Sequence, residues 1–182
     1  ALPIWTVRLE TIIQDTIREH GTLMIPSFSL ERTQEILSEL DSLVRNGRIS
    51  PVPIYLDSPL AIEITQVYRK YPDYLNKHAR GLIQSGDDIF NVPGLVLART
   101  REESMAINTA PDPKIVIAGS GMMNGGRIVH HAEHHLDESR ATLLLVGYQA
   151  VNTLGRLIQS GEKTVTIHNR PVEVRCRVET IS

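Results

Sequence analysis

The 182-residue sequence holds a single cysteine, Cys176. That excludes an internal disulfide framework and suits a reducing compartment, so a cytoplasmic location is the expectation. An excess of charge of one sign is also missing. With 19 Lys and Arg against 21 Asp and Glu, the formal net charge is −2, so any binding of nucleic acid needs a local basic patch. No apolar run approaches the roughly 18–20 residues that cross a bilayer as a helix, and no membrane partner is expected. Low-complexity linkers and internal repeats are absent too. At 41% hydrophobic and 22% charged residues, the chain has material for one packed domain and is short for two. It opens on "ALPIW" without a methionine and closes on "VETIS", which reads as a segment of a longer protein.

What is present alternates between two periods. Residues 7–19 put Leu9, Ile12, Ile13 and Ile17 on one helical face, and 30–46 do the same with Thr33, Ile36, Leu37, Leu40, Leu43 and Val44 before Gly47. A third helix is predicted from Ser58 as N-cap, with Pro59 at its first position, to about Tyr71. Thr100 and Glu103 have the spacing of a capping box, and a last helix is expected over 153–159. Between the helices lie the apolar runs 22–26, 53–57, 94–98, 114–119 and 142–148. Apolarity that is continuous rather than alternating means both faces of the strand are covered. The stretch 72–93 reads as a short helix and an irregular connection, and 164–178 alternates and turns at Asn169-Arg170-Pro171 like a hairpin. The fold class is therefore α/β: an open, mostly parallel sheet with helices on both faces and an antiparallel hairpin at the C-terminal end.

Four histidines fall within six positions, His130, His131, His134 and His135. They form two i,i+4 pairs on adjacent faces of a predicted helix, and such a pair can share a zinc ion. The arrangement is not H-E-x-x-H, because Glu133 sits at the wrong offset, and Cys176 is remote. A helix whose histidines cap its end or face a neighbouring segment accounts for them equally. Just before them, Gly119-Ser120-Gly121 and Gly125-Gly126 sit where a strand gives way to a helix, with Arg127 in the first turn. A helix N-terminus there suits an anion, whereas a tight turn alone also explains the glycines. The segment is neither G-x-G-x-x-G nor G-x-x-x-x-G-K-[ST], which excludes a nucleotide-cofactor fingerprint.

Other predicted strand ends carry polar groups: Ser27, Ser29 and Arg32 after the first, Asp57 and Ser58 after the second, Tyr148 and Gln149 after the fifth. If the strands are parallel, all open on one edge, a surface suited to a nucleic-acid backbone. Capping explains Ser29 or Ser58 alone, and a salt bridge to Asp57 or another strand-end acid would explain Arg32.

The segments "IPSFSLERTQEIL" (25–37), "PIYLDSPLA" (53–61), "IVIAGSGMMNGGRIVHH" (115–131) and "LLLVGYQAVNTLGRLI" (143–158) together resemble the β-CASP region of RNA-processing metallo-β-lactamase-fold nucleases. The resemblance covers nearly the whole chain and implies a single cap domain over residues 1–182, inserted in a metallo-β-lactamase domain of the same parent chain. It implies that RNA, or another single-stranded nucleic acid, enters the cleft between the two. It also implies that the parent hydrolyses a phosphodiester with two zinc ions. The family's H-x-H-x-D-H zinc motif is absent here, so no catalytic residue and no cofactor is expected in this chain. The family's acidic motif and its later Ser-Ala-His-type motif are expected outside residues 1–182. The residues expected to contact nucleic acid are Ser27, Arg32, Ser120, Arg127 and Gln149. Two other readings remain: a protein–protein interaction module, and a self-contained metal hydrolase on His130, His131, His134 and His135. An apolar edge left bare by the missing domain would also make the chain prone to form homodimers.

Overall fold

The computed structural model describes residues 2–74 and 91–182. Strands β1 (Thr22–Pro26), β2 (Ile54–Asp57), β3 (Leu95–Leu97), β4 (Lys114–Ala118), β5 (Thr142–Leu145) and β8 (Arg177–Thr180) form one sheet in the order β3-β2-β4-β1-β5-β8. Every pairing in it is parallel. β1, β4 and β5 are buried at every position, as continuous apolar runs require when both faces are covered. β6 (Thr164–Ile167) and β7 (Arg170–Glu173) form a separate antiparallel pair.

Helices cover both faces, as the sequence predicted. On one, α1 (Ile4–Glu19), α2 (Arg32–Arg45) and α3 (Pro59–Lys70) pack Leu9, Ile13, Ile36, Leu37, Leu40 and Ile62 against Leu23, Ile25, Ile115 and Ile117. On the other, α5 (Arg127–His135) and α6 (Leu154–Gln159) pack Ile128, Ala132 and Ile158 against Met24, Ala118, Leu143 and Leu145. Ile107 of α4 (Arg101–Ile107) meets Val116. Odd and even positions of β1 and β4 thus serve opposite faces, the period-2 rule of a strand. Each fully buried Leu or Ile of α2 contributes about 1.5–3 kcal/mol of transfer free energy.

Local signals act as read. Ser58 accepts a hydrogen bond from the Ala61 amide and Pro59 follows as the first helical residue. Thr100 and Glu103 form a reciprocal capping box. Of the connection expected over 72–93, a 3-10 turn spans Pro72–Tyr74, while 75–90 lie outside the described residues. Two details differ from the sequence reading. The hairpin turns one residue earlier, at His168 and Asn169, both at positive φ (50° and 62°), the conformation of a two-residue I′ turn. Residues 177–180 do not extend the hairpin but add β8 to the main sheet beside β5. Alternation along 164–178 concealed the switch, because β8 is half-buried at all four positions.

Since all six strands run in one direction, their C-terminal ends share an edge. α2, α3, α4, α5 and α6 each begin shortly after β1, β2, β3, β4 and β5 respectively, so five helix N-termini collect there.

Candidate nucleic-acid interface and its anchoring network

Asp57, the last residue of β2, is the hub of the strand-end edge and is 0% exposed. Its Oδ1 accepts from the Arg127 guanidinium at 2.6 Å. Its Oδ2 accepts from the Ser104 hydroxyl at 2.5 Å and from His131 Nε2 at 2.6 Å. Burial pushes the Asp57 carboxyl up. The hydrogen bonds from His131, Ser104 and Arg127 outweigh it and hold the group below the usual carboxylate range. His131 Nδ1 lies 3.2 Å from the side-chain oxygen of Asn108. Arg127 also donates to the carbonyls of Thr100 (3.2 Å) and Arg99 (3.1 Å). One carboxylate thus ties β2, the β3–α4 turn, α4 and α5 together.

Beside this network runs the 119–126 turn. The Ser120 hydroxyl donates to the Gly125 carbonyl and accepts from the Asn124 amide, which closes the turn on itself. Gly126 has φ +80°, and a Cβ on it would come 2.5 Å from the Gly119 carbonyl oxygen, so only glycine fits. Gly121 is covered by the Phe28 ring, within 2.8 Å of where a Cβ would stand. The Gln149 amide nitrogen donates to the carbonyls of Gly121 and Gly147, which joins the β5–α6 loop to the same turn.

The five residues expected to touch nucleic acid all lie along this edge, at different depths. Ser27 and Gln149 are buried beneath the rim and shape it: the Ser27 hydroxyl accepts from Thr33, and Gln149 braces the turn. Ser120 is half-buried within its turn. Arg127 keeps 25% of its side chain exposed while paired to Asp57. Arg32 pairs with Glu35 at 3.0 Å on the surface of α2, so its partner is not the Asp57 considered from sequence.

The edge also presents residues beyond those five. Phe28 and Tyr148 are 47% and 70% exposed, Leu30 and Val151 are exposed close to them in sequence, and Leu60 is exposed after β2. Arg99 and Arg156 are exposed there, and neither has an ion-pair partner among the described residues. The Arg156 guanidinium donates to the Gln149 carbonyl, which aims it along the β5–α6 loop. A run of exposed apolar residues directly after strands was the available signal for the first group. No local signal marks an arginine as unpaired.

The four histidines of α5 do not form one metal site. His131 is buried with both ring nitrogens engaged, and His135 is buried with Nδ1 3.1 Å from Glu138. Burial pushes the His135 imidazole down, against the opposing pull of Glu138. His130 and His134 point to the exposed side. These residues do not fit the dinuclear zinc centre that the family resemblance implies, since the imidazole nearest the strand ends is committed to Asp57.

The Beta-Casp domain family matches residues 33–158, which include all of α2 but Arg32, the Asp57 hub, the 119–126 turn and the β5–α6 loop. The ribonuclease TTHA0252 of Thermus thermophilus is 38% identical over 170 residues, 93% of this chain and 39% of its own length. The transcription termination factor FttA of Methanosarcina mazei is 37% identical over 158 residues, 86% of this chain and 25% of its own. An RNase J-like protein of Methanocaldococcus jannaschii is 32% identical over 169 residues, 93% of this chain and 38% of its own. The chain therefore spans well under half the length of these relatives. A parallel α/β sheet, a polar strand-end rim and a family match across most of the chain converge: it belongs to the Beta-Casp domain family.

Proposed function

We propose that this chain forms one wall of an RNA cleft in a larger zinc-dependent phosphodiesterase, with its strand-end edge toward the RNA. The observation that carries the reading is the gathering on that edge of five helix N-termini and of two exposed arginines, Arg99 and Arg156, that have no ion-pair partner among the described residues. Helix N-termini carry partial positive charge and unpaired amide hydrogens that suit phosphate oxygens. Side-chain caps occupy α3, α4 and α6 through Ser58, Thr100 and Thr153, whereas α2 and α5 have none. Exposed Phe28 and Tyr148 offer flat faces for unstacked bases.

In this reading the chain binds and orients the RNA backbone. Hydrolysis would belong to the metallo-β-lactamase domain of the same parent, where two zinc ions would supply the Lewis acidity for phosphodiester cleavage. A cytoplasmic location goes with it. The names of the relatives, a ribonuclease and a transcription termination factor, agree with an RNA-processing role.

Fluorescence anisotropy with a labelled 12-nucleotide single-stranded RNA tests it. Binding should weaken between 50 and 200 mM salt, with a log–log slope of about −0.7 per phosphate contacted. Arg99→Ala and Arg156→Ala should each lower affinity several-fold and make the slope shallower by roughly one contact. Affinity indifferent to both arginines and to salt would transfer the edge to a protein partner instead.

A further inference from the structure

With His131 and His135 buried, the outer face of α5 is left with His130, Glu133 and His134. The β6–β7 hairpin brings His168 against that face. The His130 and His168 rings lie 4.8 Å apart between centroids with a 35° tilt. His168 Nδ1 is 2.9 Å from Glu133 Oε2. One ligand atom from each of His130, Glu133 and His168 falls within 4.8 Å of the others, the single such grouping of His, Cys, Asp and Glu among the described residues.

We propose that His130, Glu133 and His168 form a binding site for a zinc-class divalent cation, separate from the parent's hydrolytic centre. Two imidazoles and a carboxylate are a zinc donor set, needing nitrogen and oxygen at about 2.0–2.2 Å from the ion. Donors around a tetrahedral ion of that size stand roughly 3.5 Å apart, so the cluster needs only side-chain adjustment on exposed groups. The backbone already supplies the rest. His130 and Glu133 are one turn apart on α5, and His168 is held at the hairpin tip by its left-handed conformation (φ 50°). Ile167 and Val165 anchor the hairpin in the same core as Ile128 and Ala132 of α5, so the two halves of the site are fixed to one another. His130 and His168 also line a cavity of about 350 Å³ with Asn124, Gly125, Gly126 and Thr166, so water can reach a fourth position on the ion.

Spacing along the helix favours a different pair, His130 with His134, whereas the fold pairs His130 with a residue 38 positions on, across the hairpin. The two assignments separate cleanly in experiment. Isothermal titration of the 182-residue chain with zinc chloride, after chelator treatment, should give one ion per chain with Kd of about 1 μM, a moderate value for three exposed ligands. His168→Asn, which keeps a residue tolerant of positive φ, and His130→Gln should each weaken binding at least tenfold, while His134→Gln leaves it unchanged. Cobalt(II) in place of zinc should give visible absorption of a four-coordinate ion, lost in the same two variants. Zinc uptake abolished by His134→Gln and indifferent to His168→Asn would overturn the proposal in favour of a helical pair. No uptake at 100-fold excess over the expected Kd would overturn it outright. His130→Gln lies on an exposed helix position, so a folding defect in the hairpin variant would not remove the test.

Discussion

Replacing Asp57 by Asn keeps the side-chain volume and removes the charge that three donors share. Arg127 and His131 then face an amide that accepts from one and presents N–H to the other. Breaking a buried charge pair from one side costs about 3–5 kcal/mol, and the 25% exposure of Arg127 places this case at the lower end, about 3 kcal/mol. For a chain of this length each kcal/mol moves the melting temperature by roughly 2–4 °C, which gives a fall of about 6–12 °C. Thermal unfolding followed by circular dichroism reads it, with Arg127→Met and the double variant completing a cycle. The coupling between the two positions should be about 2 kcal/mol, because they share one network. The Asp57 carboxyl is held below its unfolded value, so its contribution is present at neutral pH and fades as pH falls through the folded pKa. The melting curves of the parent and Asp57→Asn chains should accordingly converge below about pH 4. A fall of less than about 2 °C at pH 7, or strictly additive variants, would refute the claim that this carboxylate locks the edge together.

Three further outcomes follow from the same structure. Gly126→Ala should destabilise by about 2 kcal/mol or more, since its φ is +80° and the added carbon meets the Gly119 carbonyl. Gly125→Ala, with nothing within 4 Å of the new carbon, should stay within roughly 0.5 kcal/mol, and equal effects would contradict the turn geometry. Burial pushes the Cys176 thiol up to about 11, so at pH 7.5 it holds roughly 300-fold less thiolate than an ordinary cysteine. Its reaction with a disulfide reagent should be correspondingly slow until urea unfolds the chain, and equal native and unfolded rates would place the thiol at the surface.

The sheet was legible because its strands are continuous apolar runs and three of its helices, α3, α4 and α6, carry side-chain caps, both local properties. Ser58 with Pro59, and Thr100 with Glu103, act in the structure as their spacing implies. The edge was legible in outline, since parallel strands send every strand-end residue to one side. What lies under the edge was not. Asp57 meets Ser104, Arg127 and His131 across 47, 70 and 74 positions, and no local pattern encodes such a meeting. The histidines show the same limit. Their i,i+4 spacing is plain, but the fold turns His131 and His135 inward and brings His168 to His130 from a separate hairpin. That hairpin turns at His168-Asn169 rather than one residue later because histidine and asparagine take the left-handed conformation there. Histidine is a weak signal for that conformation, and the nearby proline drew attention to the wrong position.

The central claim is that RNA lies along the C-terminal edge of the sheet. Photocrosslinking of 4-thiouridine RNA to the chain, with the crosslinked peptides mapped by mass spectrometry, tests it most directly. Crosslinks are expected in residues 27–32, 99–101, 119–127 and 147–156, with Phe28 and Tyr148 prominent. Crosslinks confined to the opposite edge, around Gly21, Asp112 and Arg140, would contradict it.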